Sequence, residues 1–171
     1  VYLAHGRRVP DRVHGQIHLT NYGRNESLPL EDFPPERFPE LREHWVSGRV
    51  TEVPVPFFGL QEVVLTIGHA HRVAGDYLNW LEREHPSEYD RLLNEKPAPS
   101  PLRSESCGRY PLPEELHHTA YVADRAVEFI ERQDGSSPFL LFCSFPDPHH
   151  AYVVPEPYDA MYSPDDVVPP V

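Results

Sequence analysis

The chain has 171 residues, of which 39% are hydrophobic and 25% charged, a balance typical of one globular domain with a sizeable core. Its formal net charge of −12 argues against binding to nucleic acid or to an anionic membrane surface, because both depend on clustered Lys and Arg. The 21 prolines are more than twice the usual share of about 5% and predict long ordered loops around the core.

The first third of the chain contains few predicted elements. Val13, Ile17 and Leu19 indicate a short strand between residues 12 and 23. Residues 25–56 are polar and rich in proline, which predicts a long loop with one short helix near residues 36–44. The β-branched residues of the segment 62–67 predict a second strand.

Two helices are predicted to follow that strand. The segment 71–86 places Val73, Tyr77, Trp80 and Leu81 on one face, and we expect this amphipathic helix to end before Pro86. A shorter helix is expected over residues 87–96. Residues 97–113 are predicted to be loop, and Cys107 within them is predicted to be a loop thiol.

The clearest predicted element is a helix that begins near Pro113 and is closed by Gly135, with an apolar stripe on one face. The segment 138–145, "PFLLFCSF", is apolar on both faces, which predicts a central strand covered on both sides and a buried Cys143 thiol. This order of elements is typical of an α/β architecture: a helix, then a buried strand, then polar residues at the carboxyl end of the strand. The stripe consists of Leu116, Ala120, Ala123, Val127 and Ile130.

Two adjacent histidines, His149 and His150, follow the predicted central strand between prolines. At a sheet's carboxyl edge an imidazole can donate a proton, bind an anion or ligate a metal. The alternative is a turn whose histidines only cap exposed backbone. The pairs at 69 and 71 and at 117 and 118 lack further residues at ligand spacing, so the sequence predicts no metal ligand.

Three segments, in this order and spacing, resemble the sulfatase family of the alkaline-phosphatase-like superfamily. They are "HGQIHLTNYG", similar to that family's G-K-x-H strand end, "FFGLQEVVLTIGHAHRVAGDYLNWLEREHP", and "LHHTAYVADRAVEFIERQDGSSPFLLFCSFPDPHHAYVVPEPYDAMYSPDD". The last resembles the helix, central strand and P-H-x-P-F loop of the family. The resemblance implies a three-layer α/β/α sandwich with a mostly parallel or mixed sheet, incomplete in these 171 residues.

The resemblance implies hydrolysis of a sulfate monoester or sulfamate, with a small molecule or a carbohydrate as the esterified group. The family uses a formylglycine made from Cys or Ser in a C/S-x-P-x-R motif, and a Ca²⁺ held by acidic and amide side chains. Fixed cations and N–H donors stabilise the negative charge of the transferring sulfuryl group. The motif does not occur in the sequence, and no calcium ligand is assigned to it.

Site residues are carried over from the resemblance one by one. His18 matches the histidine of G-K-x-H and His149 that of P-H-x-P-F, and both are expected to be catalytic. Gln16, in the place of the family's lysine, and His150 are expected to bind substrate. His117, His118 and Thr119 lie where related sequences place polar groups near the pocket, and His118 and Thr119 are also expected to bind substrate.

The departures from the family pattern shape the remaining expectations. Gln16 has no positive charge, and Ala151 replaces a proline. The initial Met is also lacking, so we expect the middle portion of a catalytic domain, and any leader would precede Val1. Its parts are expected at residues 1–24, 25–61, 62–112 and 113–171. We expect no useful turnover from this segment alone. Two alternatives stay open: a phosphonate or phosphate monoester hydrolase, and a degenerate protein that binds without catalysis.

Overall fold

The computed structural model describes residues 33–99 and 107–168 as a mixed α/β arrangement with two small sheets. The predicted strand near Val13, together with Gln16 and His18, lies outside these residues. The α-helices are α1 (Arg42–Val46), α2 (Asp76–Glu84), α3 (Pro86–Asn94) and α4 (His118–Glu131). The strands are β1 (Thr66–Ile67), β2 (Ala74–Gly75), β3 (Ala98–Pro99), β4 (Cys107–Arg109) and β5 (Tyr152–Val154).

The two sheets differ in topology. Strands β1 and β2 form an antiparallel pair, whereas the second sheet has the order β3-β4-β5, antiparallel between β3 and β4 and parallel between β4 and β5. The prediction of a loop over residues 97–113 was therefore wrong at residues 98–99 and 107–109. Cys107 lies in β4 opposite Tyr152. This strand was not predicted, because backbone pairing across the fold is not encoded in the local sequence.

Helices α2 and α3 confirm the periodicity argument. Helix α2 ends before Pro86, as predicted, and α3 begins at Pro86, with His85 as the residue between them. Helix α2 buries Tyr77, Leu78 and Leu81, although Val73 precedes the helix instead of belonging to it. The core around them extends from α1 to β5 and includes Trp45, Phe57, Leu65, Val73, Tyr110, Val122 and Val153.

The face on which α4 packs was predicted wrongly. The helix buries His118, Tyr121, Val122 and Ala126, while Val127 and Ile130 of the predicted stripe are exposed. A 3₁₀ turn over Glu114–Leu116 precedes the α-helix, and a second apolar stripe, formed by Tyr121, Val122 and Ala126, meets the core instead. The opposite face, with Ala120 and Ala123, lines a cleft.

The segment 138–145 does not form the predicted central strand. It has no regular secondary structure and pairs with no strand in the part of the chain that the structure describes, and Leu140 is 80% exposed. Cys143 is likewise exposed and not buried. An apolar run becomes a central strand only when neighbouring strands and covering helices are present, and the described sheets, of two- and three-residue strands, do not reach it.

The predicted helix near residues 36–44 begins later, at Arg42, and the predicted strand over 62–67 pairs only at Thr66 and Ile67. Within the described ranges, none of the helices is long and apolar enough to cross a lipid bilayer.

Asp76 fixes the junction between β1 and α2. Its Oδ2 accepts a hydrogen bond from the Leu65 N–H at 2.6 Å, and its own N–H donates to the Leu65 carbonyl at 2.7 Å. Burial is the largest influence on this carboxyl group and raises its pKa to about 6, against a partial offset from the Leu65 N–H. The folded chain therefore holds a proton at Asp76 over a pH range in which the unfolded chain has released it.

Asp76→Asn should change how stability depends on pH. Between the unfolded pKa of 3.8 and the folded pKa of about 6 the folded state binds more protons, so this carboxyl lowers stability as pH rises. The free energy of unfolding of the variant minus that of the wild type should thus increase by roughly 1–3 kcal/mol from pH 4 to pH 7. Urea unfolding at several pH values measures it. The control is Asp90→Asn on the exposed side of α3, and a pH-independent difference for Asp76→Asn would contradict the prediction.

Candidate functional site

A cleft of about 630 Å³ lies between the start of α4 and strand β5. Polar side chains gather at one part of its lining, where His117, Thr119, Asp147 and His149 contribute. The rest of the lining is largely apolar or aromatic and includes Ala120, Ala123, Pro148, Tyr152, Val154 and Tyr158. A concave, mainly apolar surface with a few convergent polar groups is the usual form of a small-molecule site.

The turn before α4 positions the two adjacent histidines. Leu116 is buried, and its carbonyl accepts a hydrogen bond of 2.7 Å from the Tyr77 hydroxyl. His117 is the N-cap residue of α4, and its Nδ1 accepts the Thr119 N–H at 3.2 Å. His118, the first helical residue, is fully buried against Tyr77. One ring therefore reaches the cleft, whereas the other lies behind its wall.

Asp147 connects the loop after residue 145 to this turn. The Thr119 hydroxyl donates to its Oδ2 at 2.9 Å, and Nε2 of His118 lies 2.8 Å from the same oxygen. Burial raises the pKa of Asp147, but the contacts with His118, Thr119 and His117 outweigh burial, and the net shift is downward. The carboxylate is consequently ionised at neutral pH.

The imidazole of His117 is neutral at the same pH. Burial and the neighbouring His118 ring hold its pKa well below the usual value, although Asp147 and the Val153 backbone act in the opposite direction. Its Nε2 lies 3.9 Å from Asp147 Oδ2 and is a buried atom without a hydrogen-bond partner. The site therefore contains a buried nitrogen whose polar capacity is not used within the described structure.

His149 belongs to a stack of three imidazoles. Its ring lies parallel to that of His69, with centroids 3.8 Å apart, and also stacks on His150 at 4.4 Å. Its Nδ1 donates to the His150 carbonyl, so this ring nitrogen carries a proton and Nε2 remains for a ligand. The stack joins the turn after β1 to the loop after residue 145, which holds the His149 ring at the cleft.

The structure brings some of the predicted site residues together and separates others. His149 and Thr119 both line the cleft, whereas His118 contacts Asp147 from behind the cleft wall and His150 is exposed beside His149. Gln16 and His18 lie outside the described residues. Sequence reasoning missed Asp147; its place between two prolines at the end of an apolar run was the available signal.

The cleft is acidic. Glu114, Glu115 and Asp147 line it, and no Lys or Arg does so among the residues that the structure describes. The Ca²⁺ implied by the family resemblance does not fit the group formed by His117, His118 and Asp147, because calcium takes six to eight oxygen ligands and this group offers two nitrogens and one carboxylate. No chemical step is therefore assigned to calcium at this site.

Comparison with known proteins gives a short match. Over 58 residues the chain is 38% identical to an arylsulfatase of Clostridium perfringens, a stretch that covers 34% of this chain and 12% of that enzyme. The chain thus spans about an eighth of the length of the relative that it matches. No family model matches the chain, and the search of solved structures gave no significant match. The similarity is to a sulfatase over part of the chain.

Proposed function

We propose that the chain is part of a sulfatase-type hydrolase of sulfuric esters, within an alkaline-phosphatase-like three-layer α/β/α domain, and that the cleft binds the ester. The observation that carries the proposal is that His149, Thr119 and Asp147 line the same largely apolar cleft. The local similarity to an arylsulfatase supports the choice of a sulfate ester.

The apolar lining suits the organic part of an aryl sulfate. Tyr152 and Tyr158 offer aromatic faces, and Ala120 and Ala123 leave room beside α4. The volume of about 630 Å³ lies within the range for sites that bury most of a small organic ligand. An aryl group bound here would place its sulfuryl group toward the polar residues.

His149 is the group best placed to contact the sulfuryl oxygens. With Nδ1 held by the His150 carbonyl, Nε2 is the ring nitrogen left to contact a bound oxygen, and a hydrogen bond with a charged partner is the stronger kind. The acidic lining opposes an anion, so affinity from these residues alone should be modest. In this proposal His18 and Gln16 supply further contacts to the same ester.

His149→Ala should weaken binding of 4-nitrophenyl sulfate to the chain about 10-fold, because one hydrogen bond to a charged group is worth about 1.5–3 kcal/mol. Ligand-induced NMR shifts measure the affinity. The matched control is His85→Ala, since His85 packs on Trp80 between α2 and α3 and does not line the cleft. Equal losses in the two variants would contradict a role for His149.

Comparison of 4-nitrophenyl sulfate with 4-nitrophenyl phosphate separates the alternatives. If a longer form of the protein binds and cleaves the phosphate better than the sulfate, the phosphate or phosphonate hydrolase is favoured. Unchanged sulfate affinity in Gln16→Lys would argue that the pocket does not bind sulfate. Turnover is expected to be absent in these 171 residues even with saturating Ca²⁺, because no C/S-x-P-x-R motif is present. Turnover that exceeds the His149→Ala background would overturn that expectation.

A further inference from the structure

Three side chains at the wall of the cleft offer ligand atoms at mutual distances suited to a metal ion. One nitrogen each of His117 and His118 and one carboxylate oxygen of Asp147 all lie within 4.8 Å of one another. We propose that these three residues bind a divalent transition metal, with Zn²⁺ as the best match, and that the remaining coordination position faces the cleft. The proposal concerns a different ion and different ligands from the calcium of the family resemblance.

The two histidine–aspartate distances lie on either side of the separation expected in a tetrahedral site. With zinc–ligand bonds of about 2.0–2.1 Å, adjacent ligand atoms of a tetrahedron lie about 3.3 Å apart. Nε2 of His118 and Nε2 of His117 lie 2.8 Å and 3.9 Å from Asp147 Oδ2. Movements of less than an ångström would therefore bring both pairs to the required separation.

Burial without hydrogen bonds is the independent sign of a ligand. His118 is fully buried and His117 is 6% exposed, yet Nε2 of each ring has no correctly aligned hydrogen-bond partner. At 2.8 Å the His118–Asp147 contact is short enough for a hydrogen bond, but the ring N–H is not directed at the oxygen. A buried nitrogen without a partner is costly, and a metal ion would use both lone pairs.

The type of ligand atom determines the metal. Two imidazole nitrogens and one carboxylate oxygen suit Zn²⁺ and its transition-metal neighbours, whereas calcium and magnesium prefer oxygen. Three protein ligands and one open position are also the usual arrangement of catalytic zinc. His117 and Asp147 line the cleft, so a water molecule or a substrate oxygen can approach from that side.

Residues next to the three proposed ligands can hold the ligand side chains in orientation. Thr119 already donates its hydroxyl to Asp147 and so orients the carboxylate. A metal ion at Nε2 of His117 would require the tautomer that carries its proton on Nδ1, and Nδ1 would then no longer accept the Thr119 N–H. A bound divalent cation would also offset the charge of Asp147, Glu114 and Glu115.

Metal titration of the full chain tests the proposal. Co²⁺ should bind with one-to-one stoichiometry and give the intense visible absorption of a four-coordinate site, and Zn²⁺ should displace it while Ca²⁺ should not. Asp147→Asn keeps the shape of the side chain but removes its charge and should weaken Zn²⁺ binding at least 30-fold. His117→Gln should have a similar effect, and near-UV circular dichroism checks that each variant is folded.

The control variant is again His85→Ala, because the chain contains 11 histidines and weak binding elsewhere is expected. Its Co²⁺ spectrum and Zn²⁺ affinity should match those of the wild type. Losses confined to the folded cluster variants support the site. A wild-type spectrum typical of six-coordinate Co²⁺, or unchanged affinity in either folded cluster variant, would overturn it. Metal binding is measured without any ester, so its failure is distinct from failure of sulfate-ester binding.

Discussion

Gly75→Ala should lower the free energy of unfolding by about 4 kcal/mol or more, a large part of the 5–15 kcal/mol that holds an ordinary domain folded. Gly75 has φ +86° and ψ −157°, a region of backbone space open essentially only to glycine. It also pairs with Thr66, and a Cβ at this position would lie 2.1 Å from the Leu65 carbonyl oxygen. That oxygen belongs to the backbone and cannot move aside as a side chain would.

A second glycine separates the cost of the backbone conformation from the cost of the steric clash. Gly48 also has a positive φ, of +71°, but a Cβ there would meet nothing within 4 Å. Gly48→Ala should therefore show only the conformational cost, about 1–2 kcal/mol. Urea unfolding followed by circular dichroism measures both variants. Similar losses at the two positions would mean that β1 and β2 do not approach as closely as the structure shows.

The sequence predicted those parts of the fold that depend on local physics. Proline at position 86 ends one helix and begins the next, and the spacing of Tyr77 and Leu81 identifies the buried face of α2. The segment 138–145 could not be predicted in this way, because its apolar character specifies burial without naming the partner. The same applies to β4 and β5, which pair over a separation of 45 residues between Cys107 and Tyr152.

The candidate site was predictable only in part. His149 and Thr119 could be named through a family resemblance, and the structure places both on the cleft. Asp147 could not be selected by composition, because the chain has 27 acidic residues, and only its place between two prolines sets it apart locally. Its role depends on a contact with Thr119 across 28 positions, which only the folded chain reveals. As metal ligands, the histidines at 117 and 118 were set aside for the same reason, since Asp147, the third member of the proposed group, is distant in sequence.

Tyr77→Ala is expected to have the second large effect, a loss of about 3–5 kcal/mol, because Tyr77 is completely buried and its truncation leaves a large cavity. The ring packs edge-on against Tyr121 and His118, with centroids 5.5 Å and 6.0 Å away. Its hydroxyl donates to the Leu116 carbonyl at 2.7 Å and lies 3.2 Å from the Tyr110 hydroxyl. This one side chain therefore joins the core to the turn that carries His117 and His118.

Tyr77→Phe separates the hydroxyl from the ring. Removing the hydroxyl leaves the buried Leu116 carbonyl without its donor, which should cost about 1–3 kcal/mol while the packing is kept. Tyr162→Phe is the control, because Tyr162 is 80% exposed and should lose almost nothing. If the hydroxyl also holds the turn in place, NMR signals of the His117 and His118 rings should shift in Tyr77→Phe and not in Tyr162→Phe. A loss of stability with unchanged histidine signals would show that Tyr77 supports the core without positioning the candidate site.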